Sequence, residues 1–218
     1  MTIIKAISDI QKELPPTVKL VAVSKFKSKE AILEAYSSGL RDFAENRPQE
    51  LKQKIAELPK DIKWHFIGHL QTNKIRMIIE DVSMIQSVDS LRLAQEINKE
   101  ASARSIVKDC LLQIHIAKED SKQGFSEDEV FEAIPEIKKF NSIRICGLMG
   151  MASFVDNPQQ IKNEFSYLRN LFVRLKESCF KDCNYFNDIS MGMSGDYNLA
   201  IEQGSTIVRI GSKIFGER

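Results

Sequence analysis

The chain lacks most of what marks a membrane, secreted or nucleic-acid-binding protein. No apolar run approaches the ~20 residues of a membrane-spanning helix. Met1-Thr2-Ile3-Ile4-Lys5 has neither the long apolar region nor the small-residue cleavage site of a secretory signal, so a cytoplasmic location is expected. Four cysteines among 218 residues are too few for a disulfide framework. Cys110 and Cys146 fall in apolar runs where cysteine acts as a small hydrophobe, and Cys179 and Cys183 have no further Cys/His pair at ligand spacing, so no metal is expected. Charge of one sign is missing as well: 31 basic against 30 acidic residues leave +1, which argues against nucleic acid or an anionic membrane as partner. No composition break, linker or low-complexity segment divides the chain, so residues 1–218 are expected to form a single domain.

What is present is a steady alternation of short apolar runs with helical periodicity. The apolar runs lie at about 20–25, 42–45, 64–68, 82–87, 110–116, 143–149, 188–191 and 206–210, and each of the first seven is followed by a helix-like segment. Ser28 before Ile32, Leu33 and Tyr36, and Ser126 with Glu129 three residues on, read as helix starts. An α-helix is expected from Thr72 to about Ile79, and a long one from about Gln159 to Ser178 with an inward stripe of Phe and Leu. Eight βα units without a break predict a (β/α)8 TIM barrel near the small end of that fold's size range, with an extra N-terminal helix over residues 3–12 completing the outer ring. The competing open doubly wound sheet would carry a glycine-rich fingerprint after the first strand, where Ser24-Lys25-Phe26 stands instead.

In a barrel the carboxyl ends of the strands share one face, and chemistry gathers there. Leu20-Val21-Ala22-Val23-Ser24-Lys25 puts an amine at the end of strand one, where partial desolvation and the nearby Arg209 would disfavour its charged form, as a Schiff-base nucleophile requires. Met191-Gly192-Met193-Ser194-Gly195-Asp196 and Arg209-Ile210-Gly211-Ser212 supply glycines, hydroxyls and short helix starts after strands seven and eight, where barrels hold phosphate. A Schiff-base lysine facing a phosphate cradle points to pyridoxal 5'-phosphate (PLP).

Six ordered blocks then resemble the pyridoxal phosphate homeostasis proteins: Val23-Ser24-Lys25, Phe43 to Glu50, Trp64 to Lys74, Gly147-Leu148-Met149, Ser190 to Ser194, and Val208 to Gly211. The resemblance implies a barrel like the N-terminal domain of alanine racemase, standing alone, with Lys25 holding PLP as an internal aldimine and Arg209 at the pyridine nitrogen. It also implies Ser194, Gly211 and Ser212 at the phosphate, with Asn46 and Met149 near the ring. Ala44 stands where the family usually has glycine, and Pro48 where valine is common. An arginine at the pyridine nitrogen cannot accept its proton, which leaves the ring a weak electron sink and favours holding the cofactor over turnover.

Three functions follow. The first is a non-catalytic protein that buffers or delivers PLP, affects amino-acid and keto-acid balance, touches PLP-dependent apo-enzymes transiently and is monomeric. The second is a small racemase-like enzyme with His69, His115 or Tyr197 as second base, and the third a cofactor-free aldolase of phosphorylated sugars. His65 and His69 straddle a strand end and make no metal pair. Lys118, Lys122, Lys138 and Lys139 are expected as solvated surface charges.

Overall fold

The computed structural model describes residues 2–117 and 123–217. Eight parallel strands close on themselves in chain order, as the alternation predicts. They are β1 Lys19–Val23, β2 Asp42–Glu45, β3 Lys63–Phe66, β4 Val82–Val88, β5 Lys108–Gln113, β6 Ile143–Met149, β7 Asp188–Ser190 and β8 Ile207–Ile210. The outer helices are α1 Ile3–Glu13, α2 Lys29–Ser37, α3 Pro48–Glu57, α4 Leu91–Ser102, α5 Glu127–Ile137, α6 Pro158–Ser178, α7 Tyr197–Glu202 and α8 Ser212–Phe215.

Each strand divides its side chains between two cores with period two. Leu20 and Ala22 of β1 and Val208 and Ile210 of β8 face the helices, whereas Val21 and Val23 face the barrel axis with Ala44, Met84, Leu111, Cys146, Met149 and Ile207. The β1–β8 register, Val21 opposite Arg209, therefore places the Arg209 side chain inside the barrel. Helix starts are built as the sequence suggests: Ser28 Oγ accepts from the Ala31 N–H, and Ser126 and Glu129 form a reciprocal capping box. Pro48, the departure from the family pattern, opens α3, where a missing N–H costs nothing.

Three expectations are corrected. Strand β1 ends at Val23, and Ser24 to Lys27 form a turn closed by Lys27 N–H to Ser24 O at 3.0 Å, with Phe26 at φ +63°. Strand β5 stops at Gln113 because the chain then leaves β6: the His115 N–H donates to Phe125 O at 2.9 Å, so His115 is half-exposed rather than in the strand. The segment Thr72–Met77 is a 3-10 helix, its turns closed by i to i+3 bonds such as Lys74 N–H to Gln71 O. Lys118 and Lys122 lie outside the described residues, while Lys138 and Lys139 are exposed. Among the described residues no helix is long and apolar enough to cross a membrane, and no three metal-ligating side chains cluster.

Candidate functional site

The carboxyl ends of the strands open onto a cavity of about 880 Å³, and Lys25, Asn46, Ser194, Arg209, Gly211 and Ser212 all line it. Met149 does not. It is fully buried in the axial core beneath, and Met151, two residues further along the same alternation, lines the cavity.

Lys25 is half-buried in the turn after β1, and both of its chain neighbours are anchored. The Lys54 ammonium donates to Ser24 O at 2.8 Å, Glu45 Oε1 at 2.8 Å and Glu50 Oε1 at 2.7 Å. Ser24 Oγ donates to Glu45 Oε1 at 2.6 Å, and the Phe26 N–H to Glu50 Oε1 at 2.6 Å. One ammonium and two carboxylates thus fix the backbone on either side of the lysine. Burial pushes the Glu45 carboxyl above its ordinary range against the pull of Lys54 and Ser24. Sequence reading passed over Lys54, although Glu50 and Lys54 stand four apart on α3, the spacing of a helical ion pair.

Arg209 is 2% exposed. Burial lowers its pKa to about 10, with Asp196 pulling the other way, so the guanidinium stays charged at neutral pH. It is donor-only, and gives Nη1–H to Ser190 Oγ at 2.6 Å and Nη2–H to Gly150 O at 3.0 Å.

After β8, which pairs with β1, the backbone N–H groups of Gly211 and Lys213 converge on one oxygen, Ser194 Oγ, at 3.2 and 3.4 Å. Gly211 sits close to β1: a Cβ there would stand 3.2 Å from Val23 O, a tight contact. Gly192, at φ +93°, lets the preceding loop turn against α7, where a Cβ would stand 2.6 Å from the Ala200 Cβ. The loop is pinned by Met193 N–H to Asp196 Oδ1 at 2.5 Å. Asn46 Oδ1 is buried with no hydrogen-bond partner among the described residues, an acceptor at the cavity wall.

The second bases that a racemase would need are scattered. His69 lines the cavity, with Nδ1 3.1 Å from Asp89 Oδ2, whereas His115 does not line it. Tyr197 is buried away from the cavity, its hydroxyl held by Glu13 and by Lys213 Nζ at 2.7 Å.

The sequence model of the alanine racemase N-terminal domain matches residues 2–218. The pyridoxal phosphate homeostasis protein of Synechocystis sp. is 38% identical over 213 residues, 97% of this chain and 96% of its own length. That of Mus musculus is 41% identical over 212 residues, covering 92% of this chain and 77% of its own. The chain belongs to the pyridoxal phosphate homeostasis protein family. PipY of Synechococcus elongatus, solved with PLP bound, superposes with a TM-score of 0.91 at 33% identity, over 99% of this chain and 100% of that one. Alanine racemase of Clostridium difficile shares the fold, with a TM-score of 0.77 at 18% identity, and this chain covers 56% of it.

Proposed function

We propose that this protein binds PLP in the cavity above the barrel, held through a Schiff base on Lys25, and serves the cell's PLP balance by buffering or delivering the cofactor without turnover. The observation that carries the reading is that an amine, a buried guanidinium and the Ser194, Gly211 and Ser212 turns line one cavity. Each suits one part of the cofactor.

Lys25 supplies the amine for the aldehyde. The N–H groups of Gly211 and Lys213, with the Ser194 and Ser212 hydroxyls, suit the phosphate. Arg209 would serve the pyridine nitrogen as a donor, and the Asn46 oxygen, without a partner among the described residues, would accept from a donor on the ring. PLP when bound supplies an electrophilic carbonyl carbon and an electron-withdrawing ring. Arg209 has no proton-accepting atom, and so keeps that ring a weak electron sink. The close relatives carry the name of homeostasis proteins rather than of enzymes. Of the three candidate second bases only His69 lines the cavity, and its Nδ1 is held 3.1 Å from Asp89 Oδ2, which supports the same choice over a racemase. A monomer that touches PLP-dependent apo-enzymes transiently belongs to this reading.

The test is the absorbance spectrum of purified protein and of Lys25→Ala, before and after borohydride, with the reduced peptide mapped by mass spectrometry. A coloured protein labelled at Lys25 and a colourless variant are expected. A wild-type protein that gains no chromophore with added PLP would remove the reading. Racemisation of amino acids by the coloured protein would replace it with the enzyme.

A further inference from the structure

A continuous line of polar side chains crosses the otherwise apolar barrel interior. Arg209 Nη1–H donates to Ser190 Oγ at 2.6 Å, and Ser190 Oγ–H to Gln86 Oε1 at 2.6 Å. Gln86 Nε2 lies 2.9 Å from His65 Nδ1, and His65 Nε2 3.0 Å from Asp42 Oδ1. His65, Gln86, Ser190 and Arg209 are each at most 2% exposed, so a broken link would leave a buried polar atom unpaired.

The direction of the protons in this line follows from two facts, that a guanidinium only donates and that a buried hydroxyl proton left unpaired is costly. Ser190 Oγ accepts from Arg209, and its buried proton would be left unpaired unless it is given to the next group. The Gln86 carbonyl therefore faces Ser190, which turns the Gln86 amide N–H towards His65. His65 Nδ1 must then accept, so its proton sits on Nε2 and points to Asp42. All the donors run one way, from a cation at the cavity to a carboxylate at the opposite mouth, and each bond polarises the next. A proton on His65 Nδ1 would oppose the Gln86 amide, turn it over, and leave Ser190 Oγ facing two donors.

We propose that Ser190, Gln86 and His65 are positioning residues for Arg209: the line fixes the orientation of the guanidinium under the cofactor, and Arg209 in turn fixes the tautomer of His65 across the barrel. The first half rests on the PLP reading above, and the second stands without it.

The tautomer is read from long-range 1H–15N correlations of the imidazoles, of which the chain has three, at neutral pH without cofactor. Asp42 alone could impose the same tautomer, so the decisive variant is Asp42→Ala. His65 should keep its proton on Nε2 in Asp42→Ala, lose that preference in Asp42→Ala/Ser190→Ala, and regain it in Asp42→Ala/Ser190→Thr, which restores a hydroxyl. A wild-type His65 protonated on Nδ1, or a mixture in Asp42→Ala alone, overturns the line. With PLP loaded, Ser190→Ala should shift the absorption band of the Lys25-bound cofactor and Ser190→Thr should return it. An unmoved band in Ser190→Ala overturns the positioning role. Absence of any chromophore in the wild-type protein would instead defeat the PLP reading and leave the imidazole result standing.

Discussion

Lys54 shows how much one side chain outside the cavity can decide. Its ammonium meets Ser24 O, Glu45 and Glu50, and Glu45 is completely buried. Lys54→Met leaves that carboxylate without its counter-ion, at a cost of about 3–5 kcal/mol. Glu45→Gln/Lys54→Met should recover a large part of the loss, which urea denaturation of both variants checks. The cysteines divide in the same way. Burial pushes the Cys146 thiol up to about 12 and raises that of Cys110 as well, whereas Cys179 and Cys183 are partly exposed. Maleimide labelling of native protein at pH 7.5 should modify Cys179 and Cys183, and reach Cys110 and Cys146 only after denaturation. Lys25, Arg209 and the Ser194 loop were legible in the sequence because strand ends in a barrel have one destination. Met149 was misplaced by one interior layer, since alternation tells which way a side chain faces and not how high it stands.

Among the elements, the strand–helix alternation was readable throughout, and the errors fall where tertiary pairing overrides local pattern. His115 continues an apolar run, yet its N–H pairs with Phe125 rather than with the neighbouring strand. His65, Gln86 and Ser190 sit on three different strands, so no local pattern could reveal them as one line. Strand β6 carries the sharpest steric demand. Gly147 has φ +152°, and a Cβ there would stand 1.8 Å from Asp188 O on β7. Gly147→Ala must push two barrel strands apart and should cost about 3 kcal/mol or more. At ~2–4 °C per kcal/mol for a chain of this size, the melting temperature should drop by roughly 6–12 °C. Ser126→Ala, which removes half of the α5 capping box, should cost only about 1 kcal/mol in the same assay.

For the molecule as a whole, acid stability reports on the end of the barrel where the strands begin. Burial raises the Asp42 carboxyl, but His65, Lys19 and Lys63 outweigh it and hold it below the ordinary value of 3.8. A carboxyl with a lowered pKa in the folded state adds stability that is present in full above its unfolded pKa and lost as pH falls through the folded one. Urea midpoints from pH 6 down to pH 3 should therefore show wild type above Asp42→Asn at the upper end, with the gap closing towards the lower. A gap that widens on acidification would contradict the assignment.

The closed order of strands, with β1 against β8, also bears on synthesis. Lys25 leaves the ribosome more than 180 residues before Arg209 and the Gly211 turn. A nascent chain short of β8 carries Lys25 without the Arg209 guanidinium and the Gly211 turn that share its cavity. The cavity wall is thus complete only once β8 and the turn after it have been made and have closed against β1.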